Sequence, residues 1–259
     1  MEILILAVVT LPLLTALFLK VANRFLNELL TNFITINAAL LSVAVSFFMF
    51  GYLLLDKFKP IKFELFEWYP SPQIIFEFYL DGLSGVMMIL ISGLSLVIQL
   101  FSTSYMSKDE KYTKYFEYFN FFVFSMLLLV LSGNFLVMFF GWELVGLSSY
   151  LLISFWYEKN SAAKAGNKAF ILNRIGDFGF LIGLMMILNY FETFNFVNIF
   201  ESVLIKQPSN LDLIILFLLL GAFGKSAQFP LFSWLPDAME GPTPASALIH
   251  AATMVTAGV

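Results

Sequence analysis

The fold turns on the stretch Tyr118–Tyr157, YFNFFVFSMLLLVLSGNFLVMFFGWELVGLSSYLLISFWY, which carries a single formal charge, Glu143. As one helix at 1.5 Å per residue it would be about 60 Å long, twice the roughly 30 Å hydrocarbon thickness of a bilayer. It therefore reads as two spans. The break belongs at Ser132-Gly133-Asn134, a run of turn-forming residues, and it leaves Glu143 near the middle of the second span. A charge at that depth costs about 2.5–3.5 kcal/mol even on the gentlest scale, so intramembrane ionisable residues mark ion or proton pathways.

The rest of the chain has the same character. Hydrophobic residues make up 60% of 259 residues and charged residues 12%, with a mean hydropathy of +0.87. This excludes an ordinary soluble domain. Met1–Leu19 lacks a basic leader and a small-residue cleavage site and reads as a retained first span. The uncharged runs Thr31–Leu55 and Gly82–Ser107 supply the second and third, Gly166–Tyr190 the sixth, and a seventh begins near Leu211. Pro230, Pro236, Gly241, Pro242 and Pro244 interrupt that last span, yet Ala245–Val259 is apolar again, so a discontinuous helix is expected, with a short re-entrant loop between two ordinary helices as the alternative. Between the second and third spans, Lys57–Leu65 nearly alternates polar and apolar residues, and Ile74–Tyr79 is rich in β-formers after Tyr69-Pro70-Ser71-Pro72. A small extramembrane hairpin within residues 56–80 follows.

The expected fold is thus all-α and polytopic, with about seven transmembrane helices, the last one broken, and one hairpin. Residues 1–110 hold the first three helices and residues 111–259 the next four, ending inside the broken helix. Lys20, Arg24, Lys108, Lys111, Lys114, Lys159, Lys164 and Lys168 fall in the loops after helices 1, 3 and 5, against Lys57, Lys59, Lys62 and Lys206 opposite. The positive-inside rule then places the N-terminus outside.

Cysteine is absent and histidine occurs once. Thiolate metal sites, iron–sulfur clusters and bis-histidine haem have no ligands here. No basic patch suggests nucleic acid. The ionisable residues inside spans are Glu143, Lys225, Asp177 and His250, with Arg174 and Lys168 preceding Asp177 on helix 6. The economical arrangement pairs Glu143 with Lys225, each offsetting the other's desolvation. At about 4 Å and an effective dielectric of 20, that attraction is about 4 kcal/mol, enough to switch a buried lysine between charged and neutral. Arg174 and Asp177, three apart, share a helix face. Gly224-Lys225-Ser226 is no phosphate loop, since Leu219 stands where the first glycine is needed.

The strings GWELVGLSSYLLISFWY, NRIGDFGFLIG, YLDGLS and GKSAQFPLFSWLPDAMEGPTPASALIHAATMVTAGV closely resemble the chain 5 family of NADH:ubiquinone oxidoreductase, the antiporter-like subunits of respiratory complex I. The resemblance implies a proton-translocating membrane-arm subunit in which Glu143 and Lys225 gate the proton, Asp177 is the aspartate of the NRxGD motif and His250 is a relay. It implies the other membrane-arm subunits and membrane lipids as partners, with FMN, iron–sulfur clusters and ubiquinone bound in other subunits and no cofactor here. The mitochondrial inner membrane, or a bacterial plasma membrane, is the expected location. The related sodium/proton antiporter subunits typically carry a lysine where Thr256 stands, which favours chain 5. Family members continue well past Val259, so a separate polypeptide docking near Val259 and completing the second repeat is expected.

Overall fold

The computed structural model describes residues 1–70, 73–205 and 208–258. Helices α1 (Glu2–Ala22), α2 (Glu28–Leu55), α3 (Gly82–Tyr105), α4 (Tyr112–Val130) and α5 (Phe135–Ile153) form the first bundle. Their starts are set by side chains that satisfy free backbone N–H groups. Asn27 accepts from the Leu30 amide at 2.9 Å, Asn134 accepts from the Val137 amide at 2.8 Å, and Asp81 forms a reciprocal capping box with Ser84. The break at Ser132–Asn134 lies between α4 and α5, where the sequence put it.

Helix α4 is the axis of this bundle, in contact with α1, α2, α3 and α5. Tyr115, Phe116, Phe119 and Phe122 are fully buried along it. Leu14, Phe18, Phe33, Phe48 and Phe101 on α1, α2 and α3 are exposed, a distribution suited to lipid rather than water. Among the described residues, α1 with its 3₁₀ extension, α2, α3, α5 and α6 are long and apolar enough to cross a membrane.

Strands β1 (Ile61–Pro70) and β2 (Gln73–Leu80) form the anticipated antiparallel hairpin. The hairpin docks on the α4–α5 turn. The Tyr79 amide donates to the Leu131 carbonyl at 2.8 Å, the Gly133 amide donates to the Glu77 carbonyl at 2.9 Å, and Trp68 stacks on Phe140 of α5.

Helix α6 (Asn160–Phe191) leads through a loop to a short α7 (Phe196–Ile205), which the sequence reading did not anticipate, and then to α8 (Leu211–Lys225). Helices α6 and α8 run antiparallel and unusually close: Gly183 faces Leu218, Gly179 faces Leu220, and a Cβ on Gly176 would stand 3.1 Å from the Gly224 Cα. Small residues allow such backbone approach between membrane helices, where packing rather than water drives association.

Helix α8 stops at Lys225, and the chain continues through Pro230 and Pro236 to a 3₁₀ turn (Asp237–Glu240). It then enters α9 (Thr243–Leu248) and a π-turn (Ile249–Thr253). The Trp234 indole donates to the Gly224 carbonyl at 3.0 Å, satisfying an acceptor freed by the break. The helical segment after the break returns rather than continues. Thr243 meets Tyr105 at the end of α3, while the Ser226 hydroxyl donates to the Val255 carbonyl at 2.8 Å. Pro242 and Pro244 suit the first turn of a new helix, and apolar periodicity carries no direction, so the sequence marked the interruption but not the reversal. Val259, the expected docking point, and Lys206 lie outside the described residues.

The basic loops gather at one end: the Lys108 amide donates to Glu28 at the start of α2, and Lys111 pairs with Glu158 after α5. The hairpin and the α6–α7 loop share the other end, where a bridge between Asn134 and Asn195 joins the α4–α5 turn to that loop and Asn195 donates to Glu77 of the hairpin.

Candidate functional site

Lys225 is 0% exposed, the last residue of α8. Its Nζ lies 3.6 Å from Asp177 Oδ2. Neither atom has a hydrogen-bond partner among the described residues, so their attraction is purely that of two charges in a poorly polarisable setting. Asp177 sits 17 residues into α6, about 26 Å from its start. Its other oxygen, Oδ1, accepts from the Trp142 indole of α5 at 2.6 Å.

Helix α5 cradles the ammonium. The Trp142 ring centroid is 5.6 Å from Nζ, and one turn later a Cβ on Gly146 would come within 2.6 Å of it. Glycine there makes room for the charged head. Glu143, about 100° round the helix from Trp142, pairs with Arg174 of α6, their side chains 21% and 39% exposed. The Arg174 guanidinium also lies over Phe170, 4.7 Å from its ring centre.

The structure therefore corrects the expected pairing. Glu143 holds Arg174, and Lys225 holds Asp177. Arg174 and Asp177 share a face of α6 as their spacing requires, but each reaches to a different neighbouring helix. Spacing along one helix fixes a face; it does not choose the partner, which depends on the rotation of α5 and α8 about their axes.

Two expected residues stand apart. Lys168 bonds Asp237 of the 3₁₀ turn at 2.7 Å, joining α6 to the segment after the break. His250 lies in the π-turn, with both ring nitrogens unpartnered among the described residues and its ring centre 5.9 Å from that of Trp234. Since Trp234 also holds the Gly224 carbonyl, His250 neighbours the backbone of the lysine through that indole. Trp142 and Gly146 were not singled out in the sequence. The signal for Gly146 was a glycine inside a helical run, three positions after an intramembrane acid and the second glycine of that run.

A helical bundle in which a half-length helix ends on a buried lysine, beside a buried carboxylate and next to a second, partly exposed ion pair, has the arrangement of an antiporter-like membrane subunit. Residues 132–259 match the family model described as NADH:quinone oxidoreductase/Mrp antiporter, transmembrane. Residues 68–116 match the model for the N-terminus of NADH-ubiquinone oxidoreductase (complex I) chain 5. NADH-ubiquinone oxidoreductase chain 5 of Metridium senile is 43% identical, aligned over 97% of this chain and 42% of its own length. NADH-quinone oxidoreductase subunit L of Mycobacterium tuberculosis is 46% identical over 78% of this chain and 32% of its own. A subunit of the Mrp complex from Dietzia sp. DQ12-45-1b has the same fold, with a TM-score of 0.81 and 25% identity over 96% of this chain and 27% of that one. The chain belongs to this antiporter-like subunit family, and its residues 68–116 match the chain 5 N-terminus model. It is a multi-pass membrane protein. It spans about two-fifths of the length of the chain 5 relatives it matches.

Proposed function

We propose that the chain is a proton-translocating membrane-arm subunit of an NADH:quinone oxidoreductase, working in the inner membrane beside the other membrane-arm subunits. The observation that carries this reading is Lys225, fully buried at the end of an interrupted helix and 3.6 Å from Asp177. A lysine held wholly out of water opposite a single carboxylate is in the kind of setting that shifts protonation, and such groups cluster at functional sites.

In this reading the proton resides on Lys225 Nζ while Asp177 faces it. Arg174 lies one helical turn from Asp177 and is held by Glu143. When Arg174 leaves Glu143 for Asp177, Lys225 loses its counter-charge and releases the proton. When Glu143 recaptures Arg174, Asp177 again favours a protonated lysine. His250, beside Trp234 at the break, relays the proton, and Lys168 ties α6 to the segment that must move with it. NADH oxidation and quinone reduction take place in other subunits, which hold FMN, iron–sulfur clusters and ubiquinone, while this chain binds no redox cofactor.

The similarity to the Mrp complex supports a second reading, a subunit of a sodium/proton antiporter. Native isolation with an in-gel NADH oxidation assay and mass spectrometry separates the two: the first reading requires this chain in the NADH-oxidising band. Within that assembly, Lys225→Met should abolish the proton flux assigned to this subunit. Flux at the native level would overturn the role given to Lys225.

A further inference from the structure

We infer that Trp142 is a positioning residue that holds the Asp177–Lys225 pair open. This rests on the proton-carrying role proposed for Lys225. The indole N–H donates to Asp177 Oδ1 at 2.6 Å, a short bond of the charge-assisted kind, and it turns the carboxylate so that Oδ2 stands 3.6 Å from Nζ, just beyond hydrogen-bond reach. The indole is itself fixed: Trp142 is buried and stacks on Phe180 of α6, ring centres 5.2 Å apart. Its face is presented to the ammonium at 5.6 Å, so one side chain contacts both members of the pair.

The placement also ties the two ion pairs together. Residues 142 and 143 are consecutive on α5, and each holds one member of the Arg174/Asp177 set on α6. A small rotation of α5 against α6 therefore alters both pairs at once. The charged or titratable groups around the lysine are Asp177 and Arg174 from α6, Glu143 from α5, and His250 beyond Trp234 on the returning segment. Without the indole donor, nothing else among the described residues bonds Asp177, and the carboxylate is free to close on Lys225.

Closing from 3.6 Å to a bonded distance of about 2.8 Å, at an effective dielectric of about 20, strengthens the hold on the lysine proton about tenfold. The assembled complex, reconstituted in vesicles, should therefore show its proton flux per NADH oxidised displaced by about one pH unit to the alkaline side in Trp142→Phe. That variant keeps an aromatic ring at the stacking position and loses the donor together with the volume of the pyrrole ring, which is why the readout is the displacement of the profile rather than its height. Trp142→His, which restores an N–H, should recover part of the native profile. Gly146→Ala is the second variant, usable if the first does not assemble. Its Cβ would stand 2.6 Å from Nζ, so the ammonium has to shift relative to Asp177 and the profile has to be displaced. A flux lowered at every pH without displacement, or a native profile, would overturn the inference. The Lys225→Met control keeps the two claims apart: lost flux in that variant with an undisplaced Trp142→Phe profile defeats only the role of Trp142.

Discussion

Asp177 and Glu77 are carboxylates buried to nearly the same degree, 3% and 5% exposed, and their neighbours could hardly differ more. Asp177 lies among the helices opposite a cation, with an indole donor behind it and one oxygen unbonded. Glu77 lies in the hairpin and meets only neutral donors at close range: Asn195 Nδ2 at 2.7 Å and Asn134 Nδ2 at 3.4 Å. Those asparagines cap the N-termini of α5 and α7, so Glu77 sits where two positive helix ends converge. A carboxylate facing an exchangeable cation is a switch, whereas one wedged between two helix caps is a clasp. Both act on α5, the clasp at its N-cap and the switch two turns further on.

The largest effect expected from this contrast is at Asp177. Asp177→Asn leaves a buried ammonium with no counter-charge, which costs about 3–5 kcal/mol. Assembled complex should fall sharply and thermal inactivation should come earlier. Adding Lys225→Met to that variant should restore assembly without restoring proton flux, a coupling that a double-mutant cycle reads directly. Equal assembly of the single and double variants would mean that the two side chains are not a pair.

The next effect is geometric. The switch works only while α6 and α8 stay in register, and a Cβ on Gly224 would already stand 3.2 Å from the Gly176 Cα. Gly224→Leu has to part the helices or tilt them, at about 1–3 kcal/mol by the usual cost of overpacking. Proton flux should fall more than assembly, because the Lys225–Asp177 distance changes before the bundle fails. A leucine variant with native flux would show that the pair tolerates helix displacement and does not depend on register.

Much of this was legible in the sequence. The turn at Ser132–Asn134 followed from span length, the hairpin from alternation, and the interruption of the last span from its prolines. What stayed hidden has a common cause. Periodicity gives the face of a helix but neither its rotation against a neighbour nor its direction, so Lys225 was matched with the wrong carboxylate and the segment from Ala245 read as a continuation of α8. Helix α7 went unseen because ten residues between a loop and a polar Lys206-Gln207 junction make a weaker signal than a full span. Trp142 was missed because a tryptophan in a membrane helix reads as packing until its N–H is seen to have a single acceptor.

The smallest effect belongs to the clasp, and its sign is fixed by desolvation. Burial raises the Glu77 carboxyl above its ordinary range, with the N–H groups of Asn195 and Asn134 and the charge of Lys62 opposing that rise and Glu64 adding to it. A carboxyl whose folded value lies above its unfolded one contributes stability below the unfolded value and loses it as pH rises through the folded value. The hairpin should therefore grip the α4–α5 turn more firmly near pH 4 than near pH 7, across the window where carboxyl groups titrate. The amides of Tyr79 and Gly133, which bond across this junction, report it through hydrogen exchange compared after correction for intrinsic rates. Glu77→Gln, which keeps the shape and removes the charge, should abolish the pH dependence and hold the acidic level of protection throughout. Protection that instead increases with pH would mean that the helix N-termini outweigh desolvation, making the ionised clasp the tighter one, and the contrast with Asp177 would then be one of strength rather than kind.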